Sequence, residues 1–169
     1  SDNSLYRQYV TYNQALAMLE SGQNEQGISL LNELSGRPKS MVDSLFFDWF
    51  SPLRSQHEEA EKLALQDRAN LTLGYAYLQQ GLRANAQQVL GKVRLDSLDS
   101  QAALLGLGWS AAYDKDYQIA LSIWDKLKQT SVNSEYVLET YLASAYAYEQ
   151  AFAPTQALDE LTQGLQRFK

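Results

Sequence analysis

The side chains able to do chemistry are few, and their spacing groups them poorly. His57 is the only histidine, and it stands beside Glu58, Glu59 and Glu61 in a chain without cysteine. A zinc or non-haem iron site draws on several His or Cys ligands, so one histidine among glutamates reads as a solvated surface residue. Any Ser-His-Asp arrangement would have to use that same histidine, and no nucleophile elbow is present. Glycines occur singly and never as a phosphate-cradling loop. Asp114-Lys115-Asp116 offers two carboxylates, whereas a calcium loop of the common kind needs more oxygen ligands and a terminal Glu. Glu20, Glu139 and Glu149 are left as carboxylates that could share a groove, the minimum a glycan-cleaving solenoid would call on. The expectation is a protein with no catalytic residue, no metal and no cofactor.

Composition narrows the remaining classes. At 169 residues the chain fits one domain, and a domain of this size buries roughly 70% of the surface its unfolded form exposes. Twenty acidic against fourteen basic residues give a net charge of −6, which disfavours nucleic acid by phosphate repulsion. No apolar run approaches the roughly 20 residues that span a bilayer. The start, Ser-Asp-Asn-Ser, has neither an initiator Met nor the apolar stretch of a signal peptide, which suggests a section of something longer. Many Gln and Tyr, few Lys and no Cys lean towards the periplasm or cell envelope over the cytoplasm. On that composition the compartment stays open.

Three prolines leave long stretches free to be helical, and Ala, Leu, Gln and Glu dominate those stretches. Alternating β-branched runs are lacking, so the chain is expected to be all-α. Four segments of 21 residues align without a gap: 14–34, 73–93, 107–127 and 144–164. Their second residue is always small (Ala15, Gly74, Gly108, Ala145), and so is the fourteenth (Gly27, Ala86, Ala120, Ala157). Four residues later comes a large apolar one: Leu31, Leu90, Trp124, Leu161. Small residues let neighbouring helix backbones approach closely, and the large residue fills the space beside them. Stacked helical hairpins require that combination, because no single hairpin can bury its own apolar face.

The pattern resembles the tetratricopeptide repeat (TPR) family, whose repeat is two antiparallel helices in about 34 residues. Leu73-Gly74 with Tyr77, Gly81 and Ala86, and Leu107-Gly108 with Ala120 and Trp124, match best, and Ala86 to Ala120 spans 34 residues. The loop glycine seen as Gly22 and Gly81 is replaced by Lys115 and Phe152 in the later copies. The resemblance implies an all-α, right-handed helical-hairpin solenoid forming one domain over 1–169. Its four repeats fall at about 8–36, 67–97, 101–131 and 137–169, with residues 37–66 as an insert.

That insert carries Phe46, Phe47, Trp49 and Phe50, four aromatics in five residues. They suit a short helix ended by Pro52 that either plugs an irregular repeat or offers an exposed anchor. Ser55 followed by Glu58 has capping-box spacing and could start a helix at Gln56, which either runs into the next repeat or breaks near Gln66.

In the TPR family the first helix of each hairpin lines the inner groove. Carried over, this places Tyr12, Leu16 and Leu19 there from the first repeat, and Arg68, Leu71, Tyr75 and Leu78 from the second. The third supplies Leu105, Trp109 and Tyr113, and the fourth Glu139, Leu142, Tyr146 and Glu149. Tyr75, Trp109 and Tyr146 then form a ladder of aromatics with polar tips, which partner surfaces favour. Relatives that clamp a peptide carboxylate put Asn, Lys and Arg along this face. Here Arg68 stands nearly alone, so an extended or helical segment with apolar anchors fits better.

In the last helix Leu158, Leu161, Leu165 and Phe168 make one apolar stripe. Ala157 and Leu161 are expected to face their own hairpin, and Leu158, Leu165 and Phe168 to face further chain or a second copy. The expected function is a non-catalytic scaffold that binds a protein or peptide in its groove, within a larger bacterial assembly. A glycan-binding or glycan-processing solenoid and a self-assembly module are the alternatives.

Overall fold

The structure, a computed structural model, describes residues 2–36, 55–129 and 134–168. All of its regular elements there are helices: α1 (Asp2–Glu20), α2 (Asn24–Leu34), α3 (Ser55–Gln79), α4 (Arg83–Leu90), α5 (Ser100–Tyr113), α6 (Tyr117–Lys128), α7 (Glu135–Gln150) and α8 (Pro154–Arg167). They pair as four antiparallel hairpins, α1/α2, α3/α4, α5/α6 and α7/α8, each second helix also packing on the first helix of the next pair. The helix beginning at Ser55 runs unbroken past Gln66 to Gln79, so the second hairpin has the longest first helix.

Each hairpin turns through one residue in the left-handed region: Gly22 (φ 81°), Gly81 (φ 74°), Lys115 (φ 67°) and Phe152 (φ 58°). All four are the ninth residue of the 21-residue frame, so the turn keeps its geometry where the glycine has been lost. A non-glycine residue held there costs roughly 1–2 kcal/mol. Elsewhere the ends obey ordinary chemistry. The Ser134 hydroxyl caps α7 by accepting from the Val137 amide at 3.3 Å. Pro154 opens α8, where its missing N–H costs nothing.

The small-small-large frame is the packing rule of the stack. A Cβ placed on Gly74 would lie 2.4 Å from the Leu90 side chain, and one on Gly108 would lie 2.0 Å from Trp124 Nε1. Ala15, Ala86 and Ala120 are fully buried, as are Leu31 and Trp124. The apolar interior is divided between two clusters along the stack. One surrounds Leu31, Leu73 and Leu90; the other surrounds Trp124, Leu127 and Val137.

Polar side chains tie elements together within and between hairpins. Arg94 grips the buried Asp67 carboxylate at 2.8 Å, and its own amide donates to the other carboxylate oxygen at 3.1 Å. Lys128 Nζ meets both Glu160 oxygens at 2.9 Å and Asp125 at 2.8 Å, beneath the Tyr141 ring. Burial works against the Lys128 charge, but the hydrogen bonds to Asp125 and Glu160 outweigh it and hold its pKa above the ordinary value.

The last helix departs from the expected frame. Its buried residues are Glu160, drawn in by Lys128, and Gly164, lying against Tyr141. Ala157 is half-buried and Leu161 exposed, because among the described residues no later hairpin covers them as α7 covers Trp124.

Candidate functional site

The first helices α1, α3, α5 and α7 touch one another in series, whereas the backbones of the second helices stay apart. The first helices form the more closely packed layer of the stack, and their outward-facing residues make up one wall of it. Trp109 is the centre of that wall. Its ring stacks on Tyr113 at 5.7 Å, leans on Tyr146 at 5.7 Å, and meets the buried Trp124 edge-on at 5.2 Å. The spacing from Trp109 to Tyr113 is one helical turn, which explains why the two rings share a face.

The Trp109 and Tyr113 rings line a cavity of about 320 Å³ together with Tyr75, Leu78, Gln79 and Glu139. Tyr75 is its most constrained wall. Its hydroxyl donates to the Ala102 carbonyl at 2.9 Å, bracing α3 against the first turn of α5. Burial, with smaller contributions from Glu139 and Tyr136, holds the Tyr75 phenol well above its ordinary pKa, so the group stays neutral. The Trp109 indole N–H points to Glu139 Oε1 at 3.4 Å, a long contact on an exposed carboxylate.

A second cavity, of about 470 Å³, lies towards the other end of the wall and includes Tyr9, Tyr12, Asn13, Arg68, Leu98 and Asp99. It is more polar in its chemistry. Arg68 Nε donates to Asp99 at 3.1 Å, and that bond together with the charge of Asp99 raises the Arg68 pKa. The Tyr12 hydroxyl is bonded to Thr72 at 3.1 Å across α1 and α3.

The structure thus brings Tyr75, Trp109, Tyr113 and Tyr146 together, and places Tyr12 and Arg68 in the neighbouring cavity. Leu71 is half-buried against the first core cluster, and Glu149 is exposed on α7 outside both cavities. Leu105 belongs elsewhere: it is buried with Trp124, whose indole donates to the Leu105 carbonyl at 3.2 Å. Phe46, Phe47, Trp49 and Phe50 lie outside the described residues. Leu158 and Leu165 are 65% and 68% exposed, and Phe168 is also exposed. Sequence reasoning missed Tyr9, Gln79 and Asp99. Tyr9 could have been found from its i, i+3 spacing to Tyr12; Asp99 sits in a loop, where no helical period points to it. His57 is exposed at the start of α3, and Glu20 is exposed at the end of α1.

No family model and no curated relative matches the chain. Solved structures do. MamA (MSR-1) aligns over 95% of this chain and 95% of its own, at 15% identity and a TM-score of 0.51. A Podosopora anserina putative kinesin light chain with nearly identical TPR-like repeats aligns over 96% of this chain and 94% of its own, at 15% identity and a TM-score of 0.52. The fold is a TPR-like helical-repeat solenoid. At this identity the likeness concerns the path of the backbone.

Proposed function

We propose that the chain is a non-catalytic scaffold that holds a segment of a protein partner in its concave groove, as one part of a larger assembly. The observation that supports this reading is the half-open aromatic cavity around Trp109, walled by Tyr75 and Tyr113. Rings with polar edges supply large contact area at low entropic cost, the property of interface hot spots. Exposed Leu142 beside Tyr146 on α7 extends the apolar surface along the groove.

Photo-crosslinking tests the reading. A benzophenone side chain at Leu142 or Tyr113 is expected to give a discrete protein adduct in the native cell, and one at Ile119, on the outer helix α6, is not. Equal labelling from both faces contradicts it. A shift of tryptophan emission with cell-wall glycan fragments but not with peptides would instead make the ladder a sugar platform.

The exposed stripe of Leu158, Leu165 and Phe168 supports a second reading, self-association through α8. Light scattering decides it: a monomer unaffected by Leu165→Glu and Phe168→Glu removes that reading.

A further inference from the structure

Charge is matched differently at the two ends of the groove. In the cavity beside Tyr12, the arginines are already paired, Arg68 with Asp99 at 3.1 Å and Arg94 with Asp67 at 2.8 Å. In the aromatic cavity the fixed charge is the Glu139 carboxylate, and among the described residues no Lys or Arg forms an ion pair with it. Its contact with the Trp109 indole is long, at 3.4 Å, and engages one oxygen, Oε1. The carboxylate is exposed at the cavity wall with most of its acceptor capacity unused by the contacts described.

The walls act in the same electrical sense. Aromatic rings carry negative potential on their faces, and Trp109 and Tyr113, stacked on each other 26° from parallel, both line the cavity. Tyr75 adds a ring but no free donor, since its hydroxyl is committed to the Ala102 carbonyl. Leu78 supplies an apolar wall along which a methylene stem can lie. The volume of about 320 Å³ is at the small end of ligand pockets and suits one long side chain. Burial is the main cause of the raised Tyr75 pKa, and Glu139 adds a smaller contribution of the same sign. A carboxylate entering the cavity would meet repulsion from Glu139 and from the ring faces. A cation would meet attraction from both.

We propose that the cavity between Tyr75, Trp109, Tyr113 and Glu139 receives the cationic side chain, arginine or lysine, of a partner segment lying in the groove. The proposal rests on the groove-docking reading and adds the chemistry that selects the segment. The net charge of −6 favours a basic partner in the same direction.

The test is a random-peptide phage library selected on the full chain, with enriched peptides resynthesised and measured by fluorescence anisotropy. Peptides whose binding is lost in Trp109→Ala are expected to share a Lys or Arg. Replacing it by Gln is expected to weaken binding about tenfold or more, with a similar loss in Glu139→Gln and a decline with salt. Trp109-dependent peptides that carry no such cation, or that bind Glu139→Gln as well as wild type, overturn the cation proposal and leave groove docking standing. A library that yields no Trp109-dependent peptide overturns both. Far-UV circular dichroism of each variant confirms that the helices are retained.

Discussion

Trp124 and Trp109 lie one edge-to-face contact apart, 5.2 Å between ring centres, yet they belong to different regions of the molecule. Trp124 is fully buried between hairpins, with Gly108 cleared of a side chain to admit it and the Leu105 carbonyl satisfying its N–H. Trp109 has the opposite surroundings: it is only partly buried, lines a cavity, packs on Tyr113 and Tyr146, and its N–H reaches only a long contact with an exposed carboxylate. Trp124 builds the stack because a glycine leaves it room between helices, and Trp109 builds a surface because tyrosines share its less buried side. The neighbour decides the role.

The largest effect expected on the stack side is Trp124→Ala, at about 3–5 kcal/mol of stability, read from the urea midpoint. Next comes Lys128→Met, at about 3 kcal/mol, because it leaves Glu160 with 11% side-chain exposure and no cation. That pair also makes the stack alkali-sensitive. Lys128 keeps its proton in the fold above its ordinary 10.5, so the stabilisation is complete below that value and drains away as pH rises through the higher folded value. The buried Tyr75 phenol adds a loss of the same sign. Midpoints measured between about pH 9 and 12 should therefore fall less steeply in Lys128→Met than in wild type, the remainder belonging to Tyr75. A parallel fall would remove Lys128 from the account.

Gly108→Ala follows, at about 1–3 kcal/mol, since the new methyl would displace the Trp124 indole from its carbonyl partner. Quenching of buried tryptophan emission by iodide should rise with it. The smallest effect is a gain. Phe152 is 95% exposed in a left-handed turn, so Phe152→Gly should add about 0.5–1 kcal/mol with no packing lost. An unchanged midpoint would mean that the turn carries no strain.

Much of the stack is legible in the sequence because its rule is local and repeats. Gly108 and Trp124 stand at fixed frame positions, and Lys115 and Phe152 reveal the turn by occupying the glycine's place. Glu160 was hidden because a charge is buried only when a partner neutralises it, and Lys128 comes from another hairpin 32 residues away. Leu105 misled for a related reason. It lies one turn before Trp109 on α5, but it is covered by the neighbours of Trp124 and never reaches the groove. Tyr75, Trp109, Tyr113 and Tyr146 could be placed from the frame, whereas Gln79, which also lines the cavity, needed the fold in space.

The groove account is tested most directly by measuring Trp109→Ala twice: its urea midpoint, and its affinity for a peptide selected on the wild-type groove. The expected result is a loss of about tenfold or more in affinity with cooperative unfolding retained and a stability cost of about 1–2 kcal/mol. Unchanged affinity with a stability loss matching that of Trp124→Ala would make Trp109 a second core tryptophan and contradict the account.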